Sequence, residues 1–214
     1  MKFIKSALAA ASLVAVMAPA TAAIVVLDFE GIGNAVAVGN FYNGGAGTNY
    51  GVQFSPATLA LVDSDAGGTG NFANEPSPST IMFFLDANNA TLNVAAGFDT
   101  GFSFFYSSST VATVNVYAGL NKTGALLGSL NLAAQGFDNC VGDPTGAFCN
   151  WTAVGVAFAG IAKSIDFGGT ANQTGFDNIT FGTDVPVVPE PSTYALMALG
   201  LAGVGLISRR RKSA

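Results

Sequence analysis

The sequence predicts an all-β fold, a jelly-roll-like β-sandwich, for the central part of this 214-residue chain. Apolar and polar residues alternate with period two in several segments, as they do in half-buried strands. These segments are rich in aromatic and β-branched residues, and the body has no convincing helical pattern. Short strands separated by glycine-rich turns favour a sandwich, and a closed barrel is the alternative.

The predicted strands run from the start of the body to its end. Residues 24–29 form an apolar, β-branched run that predicts the first strand. Six later segments have strand character: Phe102-Phe104-Tyr106, Val114-Val116-Ala118, residues 126–132, Val154-Val156-Phe158, Ile165-Phe167 and Ile179-Phe181. Glycine- and asparagine-rich turns separate the strands, as at residues 43–45, 67–68, 121–124 and 168–169.

One polar segment, residues 63–80, differs in composition from the rest of the body. It is too long for a hairpin turn and too polar for the core. Long loops in compact domains are often functional, and they can equally be solvated connections. Both interpretations stay open from the sequence.

The N-terminus has the three parts of a secretory signal peptide. Lys2 and Lys5 supply positive charge, residues 8–17 are apolar, and a run of small residues follows. The small residues predict cleavage just after Ala22 or Ala23. An uncleaved membrane anchor is the alternative, which the short apolar run disfavours.

The C-terminus predicts an extended linker, a short apolar helix and a basic tail. Residues 194–208 are 15 residues without a charge, which is about 22 Å of helix against a bilayer core of about 30 Å. Four basic residues follow at once, and positive charge beside a span stays cytoplasmic. The predicted organisation is a signal peptide over 1–23, a β-sandwich over 24–183, a Pro-rich linker over 184–193, a transmembrane helix over 194–208 and a cytoplasmic tail over 209–214.

This order of motifs resembles the PEP-CTERM sorting signal of Gram-negative bacteria. The residues that carry the resemblance are Pro189, Glu190 and Pro191, the apolar segment, and Arg209, Arg210, Arg211 and Lys212. The resemblance implies that exosortase, a transpeptidase-like membrane enzyme, removes the tail near the Pro-Glu-Pro. It also implies export through the secretion translocon, an inner-membrane intermediate, and a final place at the cell surface or in an exopolysaccharide matrix. An ordinary C-terminal anchor is the alternative.

The charge distribution and the absence of histidine exclude several classes of function. The body, residues 24–189, carries two basic residues against twelve acids, a net charge of −10. This charge disfavours nucleic acid as a partner, since phosphate binding needs a basic patch. With no histidine in the sequence, Ser-His-Asp catalysis and His-ligated zinc are excluded, whereas chemistry by a carboxylate pair is not.

The two cysteines, Cys140 and Cys149, predict a structural disulfide. An even number of cysteines in an exported protein indicates pairing. Eight residues separate them, so they do not form the C-x-x-C of a redox pair. Closing so short a loop stabilises the fold by about 2–3 kcal/mol in the chain-entropy model.

Acidic residues near both ends of the body predict a structural calcium site. Glu30 belongs to the continuation of the first strand over residues 28–31, and Asp177 lies near the end of the body, in residues 175–179. First and last strands are commonly neighbours in sandwiches, so the two carboxylates, with Asn178 and backbone carbonyls, would form an oxygen cage for Ca²⁺. The layout is similar to that of exported jelly-roll modules with a structural calcium. The alternative is that these are ordinary surface acids.

Three classes of function remain. The sequence favours a non-enzymatic surface or matrix protein, with a carbohydrate-binding module as the alternative and a glycan hydrolase using a carboxylate pair after it. A carbohydrate-binding module would need exposed aromatic residues. Trp151, Tyr42 and Tyr50 are candidates, whereas periodicity places Tyr106 in the core.

Overall fold

The computed structural model describes residues 24–135, 140, 146–183 and 185. The predicted signal peptide, the Pro-Glu-Pro motif, the apolar helix and the basic tail lie outside these residues. In the part that is described, no helix is long and apolar enough to cross a membrane.

The described residues form twelve β-strands and no helix. In chain order the strands are β1 Val25–Leu27, β2 Val36–Ala37, β3 Val52–Phe54, β4 Leu59–Val62, β5 Thr80–Phe83, β6 Asn89–Phe98, β7 Gly101–Ser108, β8 Ala112–Tyr117, β9 Leu126–Leu132, β10 Thr152–Ala157, β11 Ala162–Gly168 and β12 Thr174–Phe181.

The strands pair into two antiparallel sheets. The seven-stranded sheet has the order β10-β7-β12-β5-β4-β2, with β1 also paired to β12. The five-stranded sheet has the order β3-β6-β11-β8-β9. Because no pairing among the described strands joins one sheet to the other, the fold is the predicted sandwich and not the alternative closed barrel.

The core is a phenylalanine-rich layer between the sheets. From the seven-stranded sheet, Phe104 and Phe176 meet Phe167 of the five-stranded sheet, with ring centroids 5.6 and 5.0 Å from that of Phe167. Phe102, Phe104 and Tyr106 are all buried, as their period-two spacing predicted. Edge-to-face aromatic pairs of this kind add about 0.5–1.5 kcal/mol each beyond the area they bury.

The long connection from β4 to β5, residues 63–79, packs back onto the seven-stranded sheet. Phe72 in this connection is buried and lies edge-on to Trp151, with centroids 6.3 Å apart. Ser77 is also buried. The segment that the sequence marked as a long polar loop is therefore partly a packed cover for the sheet.

Candidate functional site

Pairing of the first and last strands brings the predicted calcium ligands to one place. Strand β1 runs antiparallel to β12, with Leu27 opposite Ile179. Glu30 follows β1, and Asp177 and Asn178 lie on β12 next to Ile179. Glu30 is near enough to Asp177 for its charge to raise the pKa of Asp177. The predicted neighbourhood of the two strands is confirmed.

Glu30 ties the end of the 63–79 connection to the first strand. Its Oε1 accepts hydrogen bonds from the backbone N–H groups of Ser79 and Thr80, both at 2.8 Å. Its Oε2 accepts from the hydroxyls of the same two residues, at 3.0 and 3.1 Å. These four hydrogen bonds fix the half-buried carboxylate of Glu30 against residues 79 and 80.

Asp177 is a fully buried carboxylate. Its Oδ2 accepts from the N–H of Ser77 and its Oδ1 from the N–H of Asn178, each at 2.7 Å. Burial raises the pKa of Asp177 to about 7, against the opposing effect of these hydrogen bonds, and the charge of Glu30 raises it further. The carboxyl therefore titrates near neutral pH.

Asn178 lies in a bulge of β12 and has unpartnered polar atoms. The register with β7 shifts between Asp177 and Thr180, and Asn178 has φ 48°. Its side chain is fully buried, and neither its Oδ1 nor its Nδ2 has a hydrogen-bond partner in the structure. Buried polar atoms without partners are rare, and where they occur they commonly face a bound water or ion.

Tyr42 contacts residues 28 and 29, which lie between β1 and Glu30. Its hydroxyl donates to Asp28 at 3.4 Å and accepts from the N–H of Phe29 at 2.7 Å. Burial, followed by the charge of Asp28, raises the pKa of Tyr42 far above its usual value, so the phenol stays protonated. Since Tyr42 is buried, it cannot stack on an external sugar.

The residues that could bind a metal are few. Within the described residues, no group of three or more His, Cys, Asp or Glu side chains is arranged to hold a metal ion. What the structure offers is two carboxylates, of Glu30 and Asp177, and the amide oxygen of Asn178. These are the oxygen ligands that Ca²⁺ prefers.

The predicted disulfide is confirmed. Cys140 and Cys149 are bonded, with their Cα atoms 5.5 Å apart, inside the range that a disulfide requires.

Trp151, close to this disulfide, is a structural residue. It is half-buried, and its Nε1 donates to the carbonyl of Ala73 at 3.0 Å. The pocket between Trp151, Phe72 and the sheet has a volume of about 20 Å³, which is room for a single water. It cannot take a sugar ring.

A larger cleft, which the sequence did not predict, lies on the outer face of the five-stranded sheet. Its volume is about 310 Å³, within the range of small-ligand sites. Its walls carry four carboxamide side chains, Asn43, Gln53, Asn93 and Asn121, and the other lining residues are Gly51, Ala95, Ala96 and Leu120. We call it the amide cleft. The four amides come from separate segments, so no local motif marks them.

Comparison with known proteins identifies the class of this protein from its C-terminal segment. Residues 187–212 match the PEP-CTERM protein-sorting motif, so this is an exported protein that passes through the membrane. The chain carries an exosortase recognition motif on a β-sandwich body. The resemblance that the sequence showed at this end is thus confirmed. No curated protein matches the chain.

Several solved structures show a distant likeness. A family 6 carbohydrate-binding module has 17% identity over 59% of this chain and 82% of its own, with a TM-score of 0.37. CsCBM6-3 from Clostridium stercorarium, solved with cellobiose, has 16% identity over 61% and 85%, with a TM-score of 0.37. The K1 cleaved adhesin domain of Lys-gingipain from Porphyromonas gingivalis W83 has 12% identity over 76% and 99%, with a TM-score of 0.41. TM-scores this low define no shared ligand.

Proposed function

We propose that this protein is a non-enzymatic surface or matrix component, sorted by its tail to the cell surface and associated there with exopolysaccharide. The observation that carries the proposal is the sorting motif over residues 187–212. The signal peptide predicted over residues 1–23 and the disulfide agree with export, since disulfides persist in oxidising compartments.

The described structure gives little support to a hydrolase. A glycosidase needs two carboxyl groups that flank an open substrate cleft. Glu30 and Asp177 do lie close together, but Asp177 is fully buried and Glu30 is half-buried, so the two carboxyl groups do not flank an open cleft. Neither residue lines the amide cleft.

Mass spectrometry of both chain ends tests the proposal. Protein recovered from the cell surface or matrix should begin after Ala22 or Ala23 and end near Pro189, Glu190 and Pro191. Recovery of a full-length C-terminus only, always in the membrane fraction, would instead indicate a plain membrane anchor and refute sorting.

We further propose that a structural Ca²⁺ binds at Glu30 and Asp177. The specific observation in favour is the fully buried side-chain oxygen of Asn178, the residue that follows Asp177, which has no hydrogen-bond partner in the structure. A cation there would satisfy this oxygen and the negative charge together. The ion would join the first strand, the last strand and the 63–79 connection.

Thermal unfolding with and without a chelator tests the calcium proposal. A ligand that binds only the folded state stabilises it, so added Ca²⁺ should raise Tm and chelation should lower it. Glu30→Gln should abolish this response, and Asp99→Asn, at an exposed position, should keep it. If the Tm of the wild type changes with neither Ca²⁺ nor chelator, the proposal of a calcium site is wrong.

A further inference from the structure

The amide cleft has a wall that is held rigidly by its own hydrogen bonds. Asn93 Nδ2 donates to Asn121 Oδ1 at 2.8 Å, and the N–H of Asn121 donates back to Asn93 Oδ1 at 2.7 Å. This reciprocal pair joins β6 to the turn after β8. Asn93 and Asn121 are therefore fixed before any ligand arrives, which lowers the entropic cost of binding.

The turn that carries Asn121 is itself anchored from below. Asn121 and Lys122 have φ of 53° and 64°, the left-handed pair of a tight hairpin turn, which asparagine tolerates best. The N–H of Lys122 donates to Ser164 Oγ at 3.0 Å, and Ser164 Oγ donates to the carbonyl of Gly119 at 2.6 Å. Ser164 is fully buried in β11, so its hydroxyl anchors the turn to the sheet.

Two further amides line the cleft with their polar atoms free. The side chains of Asn43 and Gln53 are exposed and make no hydrogen bond with other described residues. Each carboxamide offers two N–H donors and an oxygen that accepts. The cleft therefore presents donors and acceptors together, with small apolar surface from Ala95, Ala96 and Leu120 between them.

The chemistry of this lining selects a class of ligand. Sugar hydroxyls both donate and accept, and the C–H faces of a sugar ring are apolar, so a carboxamide-rich cleft with an apolar floor complements them. No ionisable side chain lines the cleft. Because the body has a net charge of −10, the electrostatic field around it repels polyanions.

We propose that the amide cleft binds neutral sugar residues of an exopolysaccharide; this inference deepens the proposed function and rests on it. The same sheet face continues beyond the cleft with polar side chains. Thr91, Asp166, Asn115 and Ser129 lie in one row across four strands, by the register of the sheet. In this row the half-buried Asn115 and the exposed Ser129 offer a longer glycan chain an amide and a hydroxyl outside the cleft, whereas Thr91 is buried.

Affinity electrophoresis of the full chain, purified in detergent, tests the cleft. The probes in the gel are exopolysaccharide purified from the producing strain, neutral dextran, and alginate as a polyuronate. The double variant Asn43→Ala/Gln53→Ala removes the two free amides and leaves the Asn93–Asn121 pair intact. The matched control is Asn131→Ala, an exposed amide on the same sheet face outside the cleft.

We expect the wild type to be retarded by the exopolysaccharide or by dextran. The double variant should bind that glycan about tenfold more weakly, the loss expected for two hydrogen-bonding groups. Asn131→Ala should bind like the wild type.

The outcomes separate the cleft from the proposed function. If the wild type and the double variant bind the exopolysaccharide equally well, the cleft is not the binding site, and the proposed association with the matrix is unaffected. Binding to alginate alone would overturn the assignment to neutral sugars. A wild type that binds none of the three probes would overturn both the cleft and the exopolysaccharide association, while the analysis of chain ends would still decide sorting.

Discussion

At the scale of single residues, Asp177 has the least ordinary environment in the described structure. It is a carboxylate with no exposed surface, set in the strand that contacts both β7 and β1. Two backbone N–H groups compensate part of its desolvation. Its raised pKa, about 7, means that the folded protein holds a proton that the unfolded chain releases near its ordinary value of 3.8.

This difference predicts how stability depends on pH in the presence of a chelator. The contribution of Asp177 is fully present below about pH 4 and is lost as pH rises through about 7, because only the folded state stays protonated in that window. The free energy of unfolding should therefore fall between about pH 4.5 and 7.5. Asp177→Asn should flatten this slope in urea denaturation. The exposed Asp99→Asn should leave it unchanged, and equal slopes in wild type and Asp177→Asn would contradict the prediction.

At the scale of elements, the connection 63–79 and the segment 148–151, which contains Cys149, pack together against the seven-stranded sheet. Phe72 and Phe148 form a parallel bridge, and the N–H of Ala73 donates to the carbonyl of Phe148 at 3.1 Å. Trp151 adds its ring to Phe72 and its N–H to Ala73. The disulfide thus fixes one end of a cover that includes the long polar loop.

Truncation of Trp151 measures how strongly this cover is held. Trp151→Phe keeps an aromatic ring and loses the hydrogen bond to Ala73, at a cost of about 1 kcal/mol. Trp151→Ala also loses the ring, and because the side chain is only half-buried we expect about 2–3 kcal/mol, below the cost at a full core position. Urea denaturation gives both values, with the exposed Val111→Ala as a control. A cost for Trp151→Ala no larger than that of the control would show that the cover contributes nothing.

The sequence predicted the second half of the sandwich better than the first. Phe102, Phe104 and Tyr106 in β7 indicate a strand because a bulky aromatic residue recurs there at every second position, which places all three on the inner face of the sheet. No strand was predicted from residues 30 to 100, where the structure has β2 to β6. Strands β2 to β5 are only two to four residues long, too short for a period-two pattern to stand out in the sequence, and β5 is buried at every position. The amide cleft also escaped, because sheet register brings Gln53 opposite Asn93 and no sequence pattern encodes that pairing.

At the scale of the whole molecule, charge and sorting signals are divided between the body and the ends. The body is acidic, while six of the eight basic residues lie near the termini, two in the predicted signal peptide and four after the apolar segment. Lys122 is one of two basic residues in the body, and it pairs with Asp166 at 3.7 Å. An acidic, exposed surface favours solubility.

Deleting residues 209–212 tests the role of the basic cluster. Each of these charges resists entry to the bilayer centre by about 2.5–3.5 kcal/mol. Without them, we expect protein with an intact tail to move from the membrane fraction into the periplasm or medium, as seen by immunoblot and intact-mass measurement. Replacing Arg209, Arg210 and Arg211 with lysine conserves the charge and should preserve retention. Loss of retention in that control would show that the guanidinium groups, and not the charge, are recognised.

Pairing of β1 with β12 has a mechanical consequence. Val25 lies opposite Phe181, so the chain enters and leaves the described body at neighbouring points of the seven-stranded sheet. A pull on the C-terminal end is transmitted along β12, which is bonded to β7 over six residue pairs and to β1 over three. Because Val25 and Phe181 lie at the same end of this antiparallel pair, a force that draws the two ends of the body apart loads the β1–β12 hydrogen bonds one at a time from that end. The pairing of β1 with β12 is therefore the first part of this sheet that such a force would open.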